Sequence, residues 1–289
     1  MAKKPRIRHM CSLGTLGGYG GKKGEWTIPQ KLERIRKAGF DGFLGRVHML
    51  TPREVEASRL IFACTTDMGG PEDVEPKLTA CKEHGVRCVN VQMLDHDTTT
   101  ETAVSRARQV MSFADKIELD VSIEVHRDTC TETPEKTYAL AEGFETAEGV
   151  PLKMTWDFSH PAVTKHLSPP YWDRLAVRPD LMQLSNQYHF RPFNGHHAQV
   201  PALGRGGRLT PEFVDFMEFA DATLANWLQK AGPGREMFAC PEQIAGGYML
   251  SVFGDRFKDV KTIKKHLEKS FKKHLKNWTP PADGHAKGR

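Results

Sequence analysis

The sequence predicts an α/β chain folded as one (β/α)8 TIM barrel, with a C-terminal helix and a short disordered tail. Three observations lead there. Eight short apolar, β-prone runs recur along the chain. Segments with a helical period lie between most of them. Polar residues able to do chemistry stand at the ends of four of the runs. Alternation of strand and helix argues for a parallel sheet, and a (β/α)8 barrel gathers its functional residues at the C-terminal ends of its strands. The 289 residues suit the roughly 250 of one such barrel. The expected boundaries are 1–278 for the barrel with its last helix and 279–289 for the tail.

The predicted strands are Ile7–Leu13, Phe40–Leu44, Leu60–Thr65, Val86–Met93, Leu119–Glu124, Leu152–Asp157, Leu181–His189 and Glu236–Glu242. Helical stripes separate them. Ile28, Leu32, Ile35 and Ala38 share one face; so do Val104, Ala107, Met111 and Ala114, and again Phe213, Met217, Ala220, Leu224 and Trp227. Thr27, Thr133 and Thr210 each place a capping hydroxyl beside a proline in the first turn. Thr51–Pro52 opens a further helix, but Thr51–Arg59 is short for a barrel helix, so the second unit is expected to be abbreviated. The final helix, within Phe257–Leu275, repeats Val260, Ile263, Leu267, Phe271 and Leu275 on one face and lysines on the other. A docked amphipathic helix with a solvated basic face accounts for this, and its apolar face is also a candidate homo-oligomer interface.

Composition narrows the class. The apolar fraction of 39% supplies a sizeable core. No apolar run is long enough to span a membrane. The basic start is not followed by the apolar core of a signal peptide, so a cytoplasmic location is expected. The six cysteines form no CxxC pair and mostly sit in apolar runs, as buried reduced thiols do. The net charge of +5 is concentrated in the last helix, away from the predicted active rim, which argues against a nucleic-acid partner.

Glu124, Asp157, His189 and Glu242 end the last four predicted strands. The first three are spaced by 33 and 32 positions, about one strand–helix unit. Carboxylates with an imidazole make a site for Mg²⁺, Mn²⁺ or a similar divalent ion. A lone strand-end glutamate is usually solvated, but four such residues in consecutive units, two of them interrupting the apolar segments Val121–Ile123 and Met154–Trp156, need partners or a metal. Period-2 alternation puts Gln187 on the face of His189, so either is a candidate ligand. His126 follows Glu124 by two and stands beside the substrate or in ordinary packing. Three loops belong to the same rim. Gly14–Gly24 is a phosphate cradle or a mobile loop; Arg191–Leu209, with His196 and His197, is long enough for a lid; Gly246–Gly247–Tyr248 follows Glu242.

The segments Ser122–Arg127, Trp156–Pro161 with its Asp-x-x-His at Asp157–His160, and Cys240–Glu242 resemble the xylose isomerase-like TIM barrels. This is the sugar phosphate isomerase/epimerase superfamily, which includes D-tagatose 3-epimerase-like members. The resemblance covers roughly 7–242. It implies Glu124, Asp157, His189 and Glu242 as metal ligands, with Glu124 and Glu242 doubling as the catalytic acid/base pair, and His160 and Arg191 as substrate-binding residues. Manganese is the first expectation for the ion, with magnesium, cobalt or zinc as alternatives, and the expected partner is a small carbohydrate. Two glutamates facing each other across a substrate are the arrangement for moving a proton through a metal-stabilised enediolate. The expected activity is therefore isomerisation or epimerisation of a sugar or sugar phosphate. A lyase, dehydratase or decarboxylase acting on a keto-sugar or keto-acid shares the first step and is the alternative. An apurinic-endonuclease-like hydrolase would carry histidines on the third and fourth strands, and neither has one. A barrel that only binds sugar would leave the four residues without metal.

Overall fold

The computed structural model describes residues 2–283; of the tail predicted over 279–289, residues 284–289 lie outside the described residues. Eight parallel strands close into a barrel in sequence order: β1 (Arg6–Ser12), β2 (Gly42–Gly45), β3 (Ile61–Met68), β4 (Cys88–Met93), β5 (Val121–Glu124), β6 (Met154–Asp157), β7 (Gln187–His189) and β8 (Glu236–Cys240). β1 closes the ring by pairing with both β2 and β8. The helices between them are α1 (Ile28–Lys37), α2 (Pro52–Ser58), α3 (Val74–Glu83), α4 (Thr100–Lys116), α5 (Pro134–Glu148), α6 (Ser159–Thr164), α7 (Trp172–Leu175), α8 (Pro179–Leu184) and α9 (Pro211–Lys230). α10 (Arg256–Leu275) follows β8.

Local chemistry sets the helix starts. Thr51 accepts from the Glu54 amide while Glu54 accepts from the Thr51 amide, a reciprocal cap that opens the abbreviated α2. Thr133 and Thr210 cap α5 and α9 in the same sense, each with a proline in the first turn. The seventh predicted strand, Leu181–His189, is corrected. Its first part is helix α8, nucleated at Pro179, and only Gln187–His189 is strand. The eighth strand ends at Cys240, two residues before Glu242.

The core has two compartments. Between the sheet and the helices lie, among others, Phe43, Phe62, Trp156, Tyr188 and Trp227. Val260, Ile263, Leu267 and Phe271 of α10 join that layer, so the face offered as an oligomer interface is occupied within the chain. Inside the barrel, Met10, Leu44, Ala63, Cys88, Phe238 and Cys240 form a separate apolar cluster contributed by β8 and β1–β4. The β5–β7 side of the interior is polar instead: Ser122, Thr155 and Gln187 form one hydrogen-bonded layer. All six cysteines are buried free thiols, and no helix is long and apolar enough to cross a membrane among the described residues.

His9 of β1 is buried under α10, and neither ring nitrogen has a hydrogen-bond partner. Burial, assisted by Lys264, pushes its pKa down to about 4; Lys272 acts in the same direction, while Asp41 and Glu268 oppose it. The unfolded ring titrates near 6.5. Between these values the unfolded chain binds a proton that the folded chain refuses. The neutral ring's contribution is therefore complete above about pH 6.5 and is lost as pH falls toward 4, up to about 3 kcal/mol. Urea unfolding of His9→Phe should show a smaller drop in stability between pH 7 and pH 4.5 than the parent. An equal drop in both proteins would remove His9 as the source.

Candidate metal centre

Register aligns the functional side chains. Asp157 lies opposite His189 on adjacent strands, and the pair below them on the inner face is Thr155 opposite Gln187. Because inward residues repeat every second position, Gln187 belongs one layer deeper than His189. Its amide donates to the Val89 carbonyl and to Ser122 Oγ, both at that deeper level. The structure thus brings His189, not Gln187, to the cluster with Glu124 and Asp157. Ligand atoms of Glu124, Asp157 and His189 all lie within 4.8 Å of one another, and all three residues are buried.

The contacts inside the cluster are unusual for a hydrogen-bonded network. His189 Nδ1 lies 2.9 Å from Glu124 Oε1 and 3.6 Å from Glu242 Oε2, yet it makes no hydrogen bond of acceptable geometry. Asp157 Oδ2 is 3.2 Å from Arg191 Nη2 and 3.4 Å from His160 Nε2, ion-pair distances, and it too makes no hydrogen bond of acceptable geometry. Buried polar atoms are normally satisfied. Atoms that converge without bonding one another fit a cation placed between them, and an O, O, N donor set suits a divalent ion of the Mg²⁺ to Zn²⁺ series. Glu242 stands at the edge of this group, its Oε2 accepting from Arg191 Nη2 at 2.5 Å.

The other oxygens of Glu124 and Asp157 are held by their surroundings. Glu124 Oε2 accepts from Asn90 Nδ2 at 2.5 Å and from Gln92 Nε2 at 3.0 Å, and Thr65 Oγ1 donates to Asn90 Oδ1 at 3.0 Å. Asp157 Oδ1 accepts from the Ser159 amide at 3.0 Å and the Ser159 hydroxyl at 2.5 Å, at the start of α6. Each carboxylate is therefore fixed by one oxygen and offers the other to the centre. Neither Asn90 nor Gln92 figured among the expected site residues, although their alternation with Val89 and Val91 on β4 marks an inward polar pair.

The charges shift one another strongly. Burial alone would raise Glu124, but His189 more than offsets it and holds the carboxyl down at about 2. Burial likewise opposes ionisation of Asp157, and Arg191 and His160 overcome it, keeping the group well below the usual carboxylate range. Burial would lower His189, whereas Glu124 and Glu242 lift it to about 9. Burial lowers His160 despite the opposing pull of Asp157. Arg191 is held charged, well above its ordinary value, by Asp157 and Glu242 against its own burial.

A cavity of about 510 Å³ opens over this centre, within the roughly 300–1,000 Å³ of small-molecule sites. Glu124, His126, His189, Arg191 and Glu242 line it with Arg46 and Tyr248. His160 does not: it is packed behind His126, ring centroids 4.2 Å apart. Gly14 and Gly17 also line the cavity, and the loop that carries them is anchored by Arg256, which donates to the Thr15 and Gly17 carbonyls. The segment read as a lid, Arg191–Leu209, is fastened rather than hinged. Phe193 is fully buried, Gln199 exchanges hydrogen bonds with Ile244, and Asp259 of α10 accepts from the Ala202 and Leu203 amides. His196 and His197 are exposed and do not line the cavity.

No family model and no curated protein matches the chain. Solved structures do. A xylose isomerase-like TIM barrel/4-hydroxyphenylpyruvate dioxygenase fusion protein matches with TM-score 0.59 at 16% identity over 98% of this chain; the chain spans only 46% of the fusion's length. A xylose isomerase-like TIM barrel protein from Mycobacterium smegmatis, in complex with magnesium, matches with TM-score 0.57 at 14% identity, covering 91% of this chain and 97% of that one. A D-tagatose 3-epimerase-like protein gives 0.56 at 13% identity, covering 93% and 99%. The chain shares its (β/α)8 barrel fold with these proteins.

Asp157→Asn should abolish tight Mn²⁺ binding measured by isothermal titration calorimetry. Asn90→Leu should weaken it by about 10- to 100-fold, the range seen when a group that orients a ligand is lost. Parent-like affinity in both variants would place the ion elsewhere.

Proposed function

We propose that this chain is a divalent-metal-dependent isomerase or epimerase acting on a sugar or sugar phosphate. The observation that carries the reading is the convergence of Glu124 Oε1, Asp157 Oδ2 and His189 Nδ1 without hydrogen bonds among them, at the floor of a substrate-sized cavity. Glu124, Asp157, His189 and Glu242 would hold the ion. A divalent ion bound there supplies Lewis-acid polarisation of a substrate carbonyl.

The chain's own groups account for the proton. Glu124 and Glu242 both line the cavity, and one takes a proton from the carbon beside the carbonyl while the other returns it. Their settings differ. Glu124 Oε2 already accepts two amide donors, which leaves Oε1 to face the centre. Glu242 has a single side-chain donor, Arg191, which fixes its orientation beside His189. Arg191 is thus a positioning group for Glu242, and it lines the cavity beside it. His126 lies on the cavity wall, in reach of a substrate hydroxyl, with His160 behind it. Asp157 is fully buried and does not line the cavity, so its role is to hold the ion.

A screen of aldoses, ketoses and their phosphates with Mn²⁺, Co²⁺ and Mg²⁺ tests the reading. The substrate that turns over should acquire one solvent deuteron at the carbon beside the carbonyl. Glu242→Gln should lose at least about 10³-fold in kcat with its circular dichroism unchanged, within the reach of general acid–base catalysis. Turnover without deuterium entry would exclude the proton-transfer route, and loss of a hydroxyl or carboxyl from the product would identify a lyase.

A further inference from the structure

Arg191 follows β7 and stands two residues past His189. Its Nη2 lies 2.5 Å from Glu242 Oε2 and 3.2 Å from Asp157 Oδ2. One cationic nitrogen therefore bridges two of the four residues proposed as metal ligands. The contact with Asp157 falls on Oδ2, the oxygen left toward the centre because Oδ1 is taken by Ser159. Arg191 is 3% exposed, and its guanidinium carbon lies 4.4 Å from the centroid of the Tyr248 ring.

Glu242 stands apart from the other three. The ligand atoms that lie within 4.8 Å of one another come from Glu124, Asp157 and His189. Glu242 reaches only the margin of that set, with Oε2 3.6 Å from His189 Nδ1, and that same oxygen is the one Arg191 holds. Arg191 Nε and Nη1 are buried without hydrogen-bond partners. Among the described residues, the bond to Glu242 is thus the one hydrogen bond of the guanidinium.

A divalent ion and a guanidinium compete for the same carboxylate charge. Each is drawn to Asp157 and Glu242 and repelled by the other, and a buried setting strengthens both effects. Removing the Arg191 charge would spare the ion a neighbouring cation and free Glu242 Oε2 to reach it. While the contact lasts, Glu242 shares its charge with a monocation rather than a dication, the milder of the two drains on a base.

We propose that Arg191 competes with the divalent ion for Glu242. The ion rests on Glu124, Asp157 and His189, and Glu242 becomes its fourth ligand only when Arg191 lets go. Arg191 thereby lowers metal affinity and keeps one carboxylate available for the proton. This rests on the metal-dependent reading above and divides its four ligands into a fixed three and a shared fourth.

The test is calorimetric titration of the chelator-treated full chain with Mn²⁺. Arg191→Met should bind Mn²⁺ at least ten times more tightly than the parent, and Arg191→Lys, which keeps the charge, should stay within threefold of it. Glu242→Gln should cost less than threefold in the parent but at least tenfold in the Arg191→Met background, because only there is Glu242 free to join the ion. A purely structural arginine would give the opposite sign, since its loss would weaken binding. Unchanged or weaker affinity in Arg191→Met overturns the proposal, as does an equal cost of Glu242→Gln in both backgrounds. Should Arg191→Met not fold, its buried carboxylates being left without a countercharge, Glu242→Gln in the parent decides alone: a loss as large as that of Asp157→Asn makes Glu242 a fixed ligand and overturns the proposal, and a loss under threefold supports it. Absence of Mn²⁺ binding in both the parent and Arg191→Met would sink the metal reading itself, whereas a parent that binds without coupling between Arg191 and Glu242 sinks only the competition.

Discussion

Three carboxylates buried at one end of a closed barrel impose the constraint around which the site is arranged. Glu124, Asp157 and Glu242 are each less than a tenth exposed, and a carboxylate removed from water is costly unless charge and hydrogen bonds replace the solvent. Arg191 answers two of them at once, reaching Glu242 and Asp157 from β7's trailing residues. His189 sits against Glu124 and Glu242, and Asn90, Gln92 and Ser159 satisfy oxygens that face away from the centre. Asp157 Oδ2 and His189 Nδ1 meet these charges without a hydrogen bond, and a dication between them would complete the balance.

Much of the barrel was legible because period-2 and helical periods are written in residue type. Trp156 and Tyr188 alternate with Asp157 and His189, and the outward members pack under helices while the inward ones meet at the rim. The sequence reading failed where a short element lacks room for a period. Leu181, Met182 and Leu184 look like strand residues, but Pro179 pre-sets a helical first turn and the Leu181–Met182 pair is buried from α8. In α2 the seven residues were too few for an apolar stripe, and only the Thr51–Pro52 start betrayed the helix.

The site was legible to different depths. Buried charge singled out Glu124 and Asp157, because a carboxylate closing an apolar strand demands a reason. Choosing His189 over Gln187 required the register between β6 and β7, which alternation on one strand does not contain. Asn90 and Gln92 were hidden for another reason: neutral amides on an inner face carry no charge anomaly, and only closure shows that both aim at Glu124. The rim loop 191–209 looked free because it is long and polar. Its freedom is removed by Phe193, Gln199 and the Asp259 carboxylate, contacts between segments far apart in sequence.

The division of the barrel interior sets Glu124, Asp157 and His189 over its polar side. β8 and β1–β4 fill their share with Met10, Leu44, Ala63, Cys88 and Phe238, a dry packing that cannot solvate a charge. β5–β7 fill theirs with Ser122, Thr155 and Gln187, which bond one another and the Val89 carbonyl. A polar layer directly beneath Glu124, Asp157 and His189 spares those groups an apolar floor, and its mutual hydrogen bonds keep it from competing for the centre. Burial strengthens every electrostatic contact above it. Rigidity thus comes from below, charge balance from Arg191 at the side, and access from the cavity above.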